Sequence, residues 1–344
     1  MELASLKNKW SLLMNKEHTE KHRNNSTFWV IVQKEFSDYI SSWRIIILLA
    51  IILLTCVGSL YTAVTTIQDA IDANESAEEI GRSSYLFLQL FTTSDGTLPS
   101  FITFVGFLGP LLGIALGFDA INSERNKGTL SRLMAQPIPR DYVINGKFVA
   151  ALLLSSLLFF TLGLLVMSMG MLILGIPPTL EEFFRIVFFL ISCIVYIAFW
   201  LNLSILFSVI FRQAATSALS SIAVWLFFSV FYTMIINLIA KPLLNNDSIT
   251  TVEQAVGRQE FVLNLLRLSP NYLFSEATTT LLSPTVRSLG PLTMEQTVGA
   301  VASPLPLSQS LLLIWPQLTG MIAATMICFV IAYILFMRQE IRAN

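Results

Sequence analysis

Six stretches of this chain are too long and too apolar to sit anywhere but across a lipid bilayer. They run over about 45–64, 101–118, 148–176, 183–211, 217–240 and 311–337, and no Asp, Glu, Lys, Arg or His lies inside one away from its ends. A helix needs about 20 consecutive apolar residues to cross the hydrocarbon core. Such a core has no water for free backbone groups, so the spanning runs are read as helices. The expected fold is therefore an all-α membrane protein of six transmembrane helices. Hydrophobic residues make up 54% of the chain and charged residues 12%, well under the roughly 25% charged content of soluble domains. A net charge of −1 offers nucleic acid nothing to recognise. Cys56, Cys193 and Cys328 each fall inside an apolar run, where cysteine is a small core residue rather than part of a disulfide framework or a metal site.

The connections divide the chain. Residues 1–44 form an N-terminal segment whose polar lead, Lys7 to Asn25, is not a secretory signal. His18 and His22 within it read as one solvated helix face. From Ser26 to Trp43 the residues Trp29, Val32, Phe36, Tyr39, Ile40 and Trp43 recur at helical spacing, opposite Gln33, Lys34, Ser37, Asp38 and Ser41. Too polar to span, this helix is expected in the membrane surface. In the second span Gly109, Gly113 and Gly117 recur at every fourth residue, a stripe that lets helices approach closely in lipid. Pro110 is expected to kink that helix. Pro177-Pro178 marks a short turn before span four, whose start Glu181 and Glu182 are expected to cap. Residues 241–310 read as a large external loop, weakly amphipathic over 252–268, and residues 338–344 close the chain.

Orientation follows from Lys and Arg. With the N-terminus inside, 15 of the 21 lie in 1–44, 119–147, Arg212 and the C-terminus, and six lie on the other side. Basic short loops face the cytoplasm, so both termini are expected there, in a multi-pass protein of the cell membrane.

The connection 119–147 has an internal design. Gly128 divides it by a left-handed turn, and Thr129 can cap a following short helix. Leu130, Leu133 and Met134 then share one face, ringed by Arg125, Lys127 and Arg132 and stopped by Pro137 and Pro139. An apolar ridge in a charged setting suits a groove on another protein.

Phe118 through Leu130, with Gln136-Pro137 and Gly146-Lys147, resembles the connection between spans two and three of ABC-2-type permeases. These are membrane subunits of ATP-binding cassette exporters, including the gliding-motility and nitrous-oxide-reductase-maturation branch. Lys34-Glu35-Phe36 resembles their elbow helix, and 268–284 is similar to an external segment of some members. Where the family usually has Gly-Glu-Arg, this chain has Ser123-Glu124-Arg125. The resemblance implies that Glu124, Arg125, Lys127, Gly128, Thr129, Leu130, Leu133, Met134 and Gln136 form a coupling helix seated on a separate cytoplasmic ATPase. It implies two such ATPase subunits, a second permease chain, identical or homologous, and ATP and magnesium on the partner rather than on this chain. Glu124 is expected at the rim of that contact. Trp29, Val32, Phe36, Tyr39 and Trp43 would face the headgroups from the elbow helix.

Missing chemistry points the same way. No phosphate-cradling loop exists, because Gly146-Lys147 lacks the upstream Gly and the following hydroxyl. No span carries the buried ionisable residue that ion-coupled carriers use, so the chain is expected not to be an enzyme and must borrow its energy. Glu181-Glu182-Phe183-Phe184-Arg185 looks like a membrane-protease motif with its Arg one residue too near. The two histidines that a metal site would need both precede the membrane. A stand-alone channel or scaffold is the remaining alternative, separable by co-purification of a soluble ATPase.

Overall fold

The computed structural model describes residues 27–73, 85–130, 135–136, 138–175, 177–244, 252–284 and 304–339. Every regular element among them is helical. In chain order these are α1 (27–41), α2 (Trp43–Ala73), α3 (Leu86–Thr92), α4 (Phe101–Gly117), α5 (Asn122–Asn126), α6 (Arg140–Leu174) and α7 (Leu180–Ile210). They continue as α8 (Ala214–Leu226), α9 (Tyr232–Leu244), α10 (Val252–Leu266), α11 (Pro270–Leu282) and α12 (Leu307–Arg338). Six stretches are long and apolar enough to cross a membrane, at Trp43–Asp69, Phe101–Asn126, Arg140–Ile173, Leu180–Ile210, Ala214–Lys241 and Leu307–Arg338. They coincide with the six runs read from sequence, and α4 is helical on both sides of Pro110.

Helix α7 is the axis of the bundle, packing against α4, α6, α8, α11 and α12. Its start is fixed by a capping box. The Glu182 backbone N–H donates to Thr179 Oγ1 at 3.2 Å, and the Thr179 N–H donates to Glu182 Oε2 at 2.8 Å. Such reciprocal caps satisfy donors that a helix start otherwise leaves open. Glu182 is thus a cap, as its position suggests, with Thr179 as the unforeseen partner. In lipid, helices gain no hydrophobic advantage from one another, so close van der Waals contact and hydrogen bonds must hold them. The glycines of α4 supply the first. A Cβ on Gly113 would lie 2.8 Å from the Ile197 carbonyl oxygen, and one on Gly117 would lie 2.8 Å from that of Leu201. Ser204 supplies the second, its hydroxyl donating to the Ile114 carbonyl at 3.1 Å.

Two connections between spans carry packed helices of their own. Helix α3 buries Phe87, Leu88, Leu90 and Phe91, with Phe91 edge-on to Phe101 and Phe189. The larger connection lies in 241–310. There α10 packs on α9, and α11 packs between α7 and α12. Phe274 of α11 stacks on Tyr196 at 4.2 Å between centroids, level with the middle of α7. Seven residues later, the Leu281 carbonyl meets Arg185 near the α7 start. The α10–α11 pair therefore dips into the bundle and returns. The described part of this connection is thus largely helical and packed against the spans, which a run of 13 residues is too short to announce in the sequence.

The hairpin brings ionisable groups alongside the spans. Arg267 Nη2 lies 2.7 Å from Glu276 Oε1, and Gln317 Nε2 of α12 donates to Glu276 Oε2 at 3.0 Å. The spans themselves are free of such groups in their middles, as read, but the space beside α12 is not. At the same depth Tyr196 donates to Asn271 Oδ1 at 2.7 Å, and Asn271 donates to Ser229. Ser229 sits in a π-helical turn, Phe227–Phe231, that interrupts the fifth span between α8 and α9.

Candidate functional site: the braced end of the bundle

Spans of alternating direction put the starts of α2 and α6, the ends of α4, α7 and α12, and the turn between α7 and α8 at one end of the molecule. Residues 119–130 lie there. Phe118 ends α4, and the chain turns into α5 because the Ser208 hydroxyl of α7 accepts the Ile121 and Asn122 N–H groups at 2.9 and 3.2 Å. The Asn122 side chain is fully buried and donates to the Phe118 carbonyl. Gly128 then adopts φ +67°, the left-handed conformation that glycine enters at no steric cost. Helical geometry resumes at Thr129. The turn is as read, except that the Thr129 hydroxyl donates back to the Glu124 carbonyl at 3.2 Å.

Side chains brace this segment to the surrounding helices. Asp119 pairs with Arg44 of α2 at 2.7 Å. Arg125 donates to Gln339, just beyond α12, and Gln339 in turn donates to the Val209 carbonyl at 2.8 Å. Asn126 donates to the Arg212 carbonyl between α7 and α8 at 3.2 Å. Glu124 pairs with Lys147 of α6 at 2.9 Å, and Lys147 pairs with Glu35 of α1 at 2.7 Å. Burial acting alone would raise the Glu35 carboxyl, but Lys147 and Lys34 beside it hold it below its ordinary value.

The expected site residues divide in this frame. Lys127, Gly128 and Thr129 are exposed at the tip, and Gln136 is exposed beyond it. Arg125 is half-buried. Leu133 and Met134 lie outside the described residues. Two expectations are corrected. Leu130 is only 2% exposed and belongs to the chain's own core rather than to an open ridge. Glu124 is spent on Lys147 and is not a rim charge. The α1 stripe also divides. Val32 is buried and Phe36 and Tyr39 are half-buried against the bundle, whereas Trp29 and Trp43 are exposed. Trp29, Val30 and Ile40 are exposed apolar residues on α1, and Trp43 is another at the start of α2, a surface suited to lipid.

Sequence reasoning missed Glu35, Asp119, Lys147, Ser208 and Gln339. Lys147 stood in a quoted motif, but a lone lysine at the start of an apolar run reads as snorkelling to the surface. Its carboxylate partners are far away in the chain, and nothing local announces them. Among the described residues, no cluster of His, Cys, Asp and Glu could hold a metal.

Six apolar spans, with one end laced around a short polar connection, define a multi-pass membrane protein. Residues 29–341 match the model of the ABC-2 family transporter proteins, and the chain belongs to that family of ABC transporter membrane subunits. Over 150 residues it is 30% identical to the probable ABC transporter permease protein NosY of Stutzerimonas stutzeri, covering 43% of this chain and 47% of that one. Over 122 residues it is 31% identical to the protein of the same name from Pseudomonas aeruginosa PAO1, covering 35% and 37%. The matched region thus spans about half of these relatives' length or less.

Proposed function

We propose that the chain is the permease subunit of an ATP-driven exporter in the cell membrane, docking a separate ATPase at residues 119–139. One observation carries this reading. The segment is bonded to α2, α6, α7 and the chain just beyond α12 while its tip, Asn126 to Thr129, stays exposed. A push on the tip reaches the ends of four spans at once, which a merely solvated loop would not transmit. Two ATPases that close on ATP and magnesium would thereby tilt the spans of this chain and of a second permease, identical or homologous. The excess of Lys and Arg at this end supports a cytoplasmic placement for it and for both termini.

The test is twofold. Cysteine introduced at residue 260 should react with an impermeant reagent in intact cells, and cysteine at residue 127 only after permeabilisation. The co-expressed ATPase should co-purify with the chain in detergent, whereas the chain alone should not hydrolyse ATP. Labelling of residue 127 from outside, or purification without an ATPase under every nucleotide condition, would remove the proposal.

A further inference from the structure

Three short strings carry the family resemblance at the braced end: Lys34-Glu35-Phe36, Ser123-Glu124-Arg125 and Gly146-Lys147. Far apart in the chain, they meet at one point. Lys147 Nζ lies 2.7 Å from Glu35 Oε2 and 2.9 Å from Glu124 Oε1, and the three side chains are only 7, 8 and 12% exposed. Gly146 makes room for this. A Cβ there would lie 2.8 Å from Ile31 Cγ2, so a larger residue would require the Ile31 side chain of α1 to shift.

No covalent path links these three elements stiffly. From Glu124 to Lys147 the chain passes the Gly128 turn, and from Glu35 to Glu124 it passes through α2, α3 and α4. The ammonium is the ionic connection shared by all three, beside the Phe28–Tyr142 ring contact of α1 with α6 and the Tyr39 hydroxyl that donates to the Leu116 carbonyl of α4 at 3.2 Å. In a buried, low-dielectric setting, pulling such a pair apart leaves an uncompensated charge, so the triad resists separation. The Arg44–Asp119 pair nearby is different, because Arg44 is 65% exposed and an exposed pair is screened and weak. The second oxygen of Glu124 is buried without a hydrogen-bond partner, so among the described residues Lys147 is the counter-charge of that carboxylate.

We propose that Lys147 is a positioning residue, the joint that carries movement of the 119–130 segment into α1 and α6. This rests on the reading of that segment as the ATPase contact. With the triad intact, α1 and the α5 segment move as one body. With either limb cut, the tip still moves but α1 does not follow.

The experiment uses the complex of the chain with its ATPase in lipid nanodiscs, carrying nitroxide pairs at 127 and 219 or at 30 and 219. All three positions are exposed, and residue 219 on α8 is the common reference. In the wild-type complex, ATP with vanadate should shift both distance distributions. In Glu124→Gln the 127–219 shift should persist and the 30–219 shift should be lost. Glu35→Gln, which leaves the Glu124–Lys147 limb in place, should lose the same shift and guards against one variant failing to fold. A purely stabilising role would lower the melting temperature of both variants and leave both shifts intact. Both shifts intact in both variants would overturn the inference. Failure of the wild-type chain to bind the ATPase would instead overturn the docking reading, and the inference with it.

Discussion

Arg185→Met probes the opposite end of the molecule, where one side chain holds four segments together. The guanidinium is fully buried. Its Nε and Nη2 donate to Glu181 Oε1 at 3.2 and 3.0 Å, and Nη1 donates to the Leu281 carbonyl at 3.0 Å and to Ser310 Oγ at 3.2 Å. Nη2 also donates to the Leu305 carbonyl, and the group lies 5.4 Å from the Tyr85 ring centroid. Methionine keeps much of the stem and removes every donor. Glu181 is 34% exposed and can turn to water, so its loss contributes little. The Ser310 hydroxyl can rotate to another acceptor. The two carbonyls cannot move, because they end α11 and precede α12, and each buried acceptor left open costs about 1–3 kcal/mol. Together that is about 2–6 kcal/mol, in line with the roughly 3–5 kcal/mol for removing one member of a buried charged network. At about 2–4 °C per kcal/mol for a chain of this size, the unfolding midpoint should fall by roughly 5–20 °C. Size-exclusion chromatography of heated samples in detergent reads this directly. A midpoint within about 2 °C of wild type would refute the reasoning, since it implies a cost under about 1 kcal/mol.

Gly113→Val should force α4 off α7, since even a Cβ meets backbone there. Overpacking of this kind costs about 1–3 kcal/mol, and a stable, fully folded variant in the same assay would show that the helices are not in contact. Leu130→Ala should destabilise the chain itself by about 2–5 kcal/mol, as a core truncation does. Normal stability with lost ATPase binding would return Leu130 to the partner's surface. The Glu35 carboxyl titrates below its ordinary value of 4.5, so its contribution is fully present above that pH and lost as pH falls through the lower folded value. The nitroxide distance between residues 30 and 219 should therefore hold at neutral pH and broaden only below about pH 4.5, and broadening already near neutrality would contradict the assignment.

The spans were legible because about 20 unbroken apolar residues leave a chain few alternatives. The Gly128 turn was legible for a similar reason, since glycine before a threonine-led helix is a local signal. The α10–α11 hairpin was not. Its apolar residues are too few to register as a span, and its polar ones take partners that the sequence does not place beside them, Asn271 on α7 and the π-helical turn and Glu276 on α12 as well as on Arg267. Lys147 failed to stand out for the same physical reason. A buried ion triad is made by tertiary contact, and each of its members looks solvated within its own stretch of sequence. Leu130 looked open because helical spacing shows which residues share a face but not which face turns inward.

The most direct measurement is photocrosslinking from single positions on the assembled complex. A crosslinker at residue 127 or 129, on the exposed tip, should capture the ATPase subunit, and the yield should change with ATP. The same crosslinker at residue 172, exposed near the far end of α6, should capture none. Capture at residue 172, or no capture at 127 and 129 from a complex that co-purifies, would place the contact elsewhere and contradict the account.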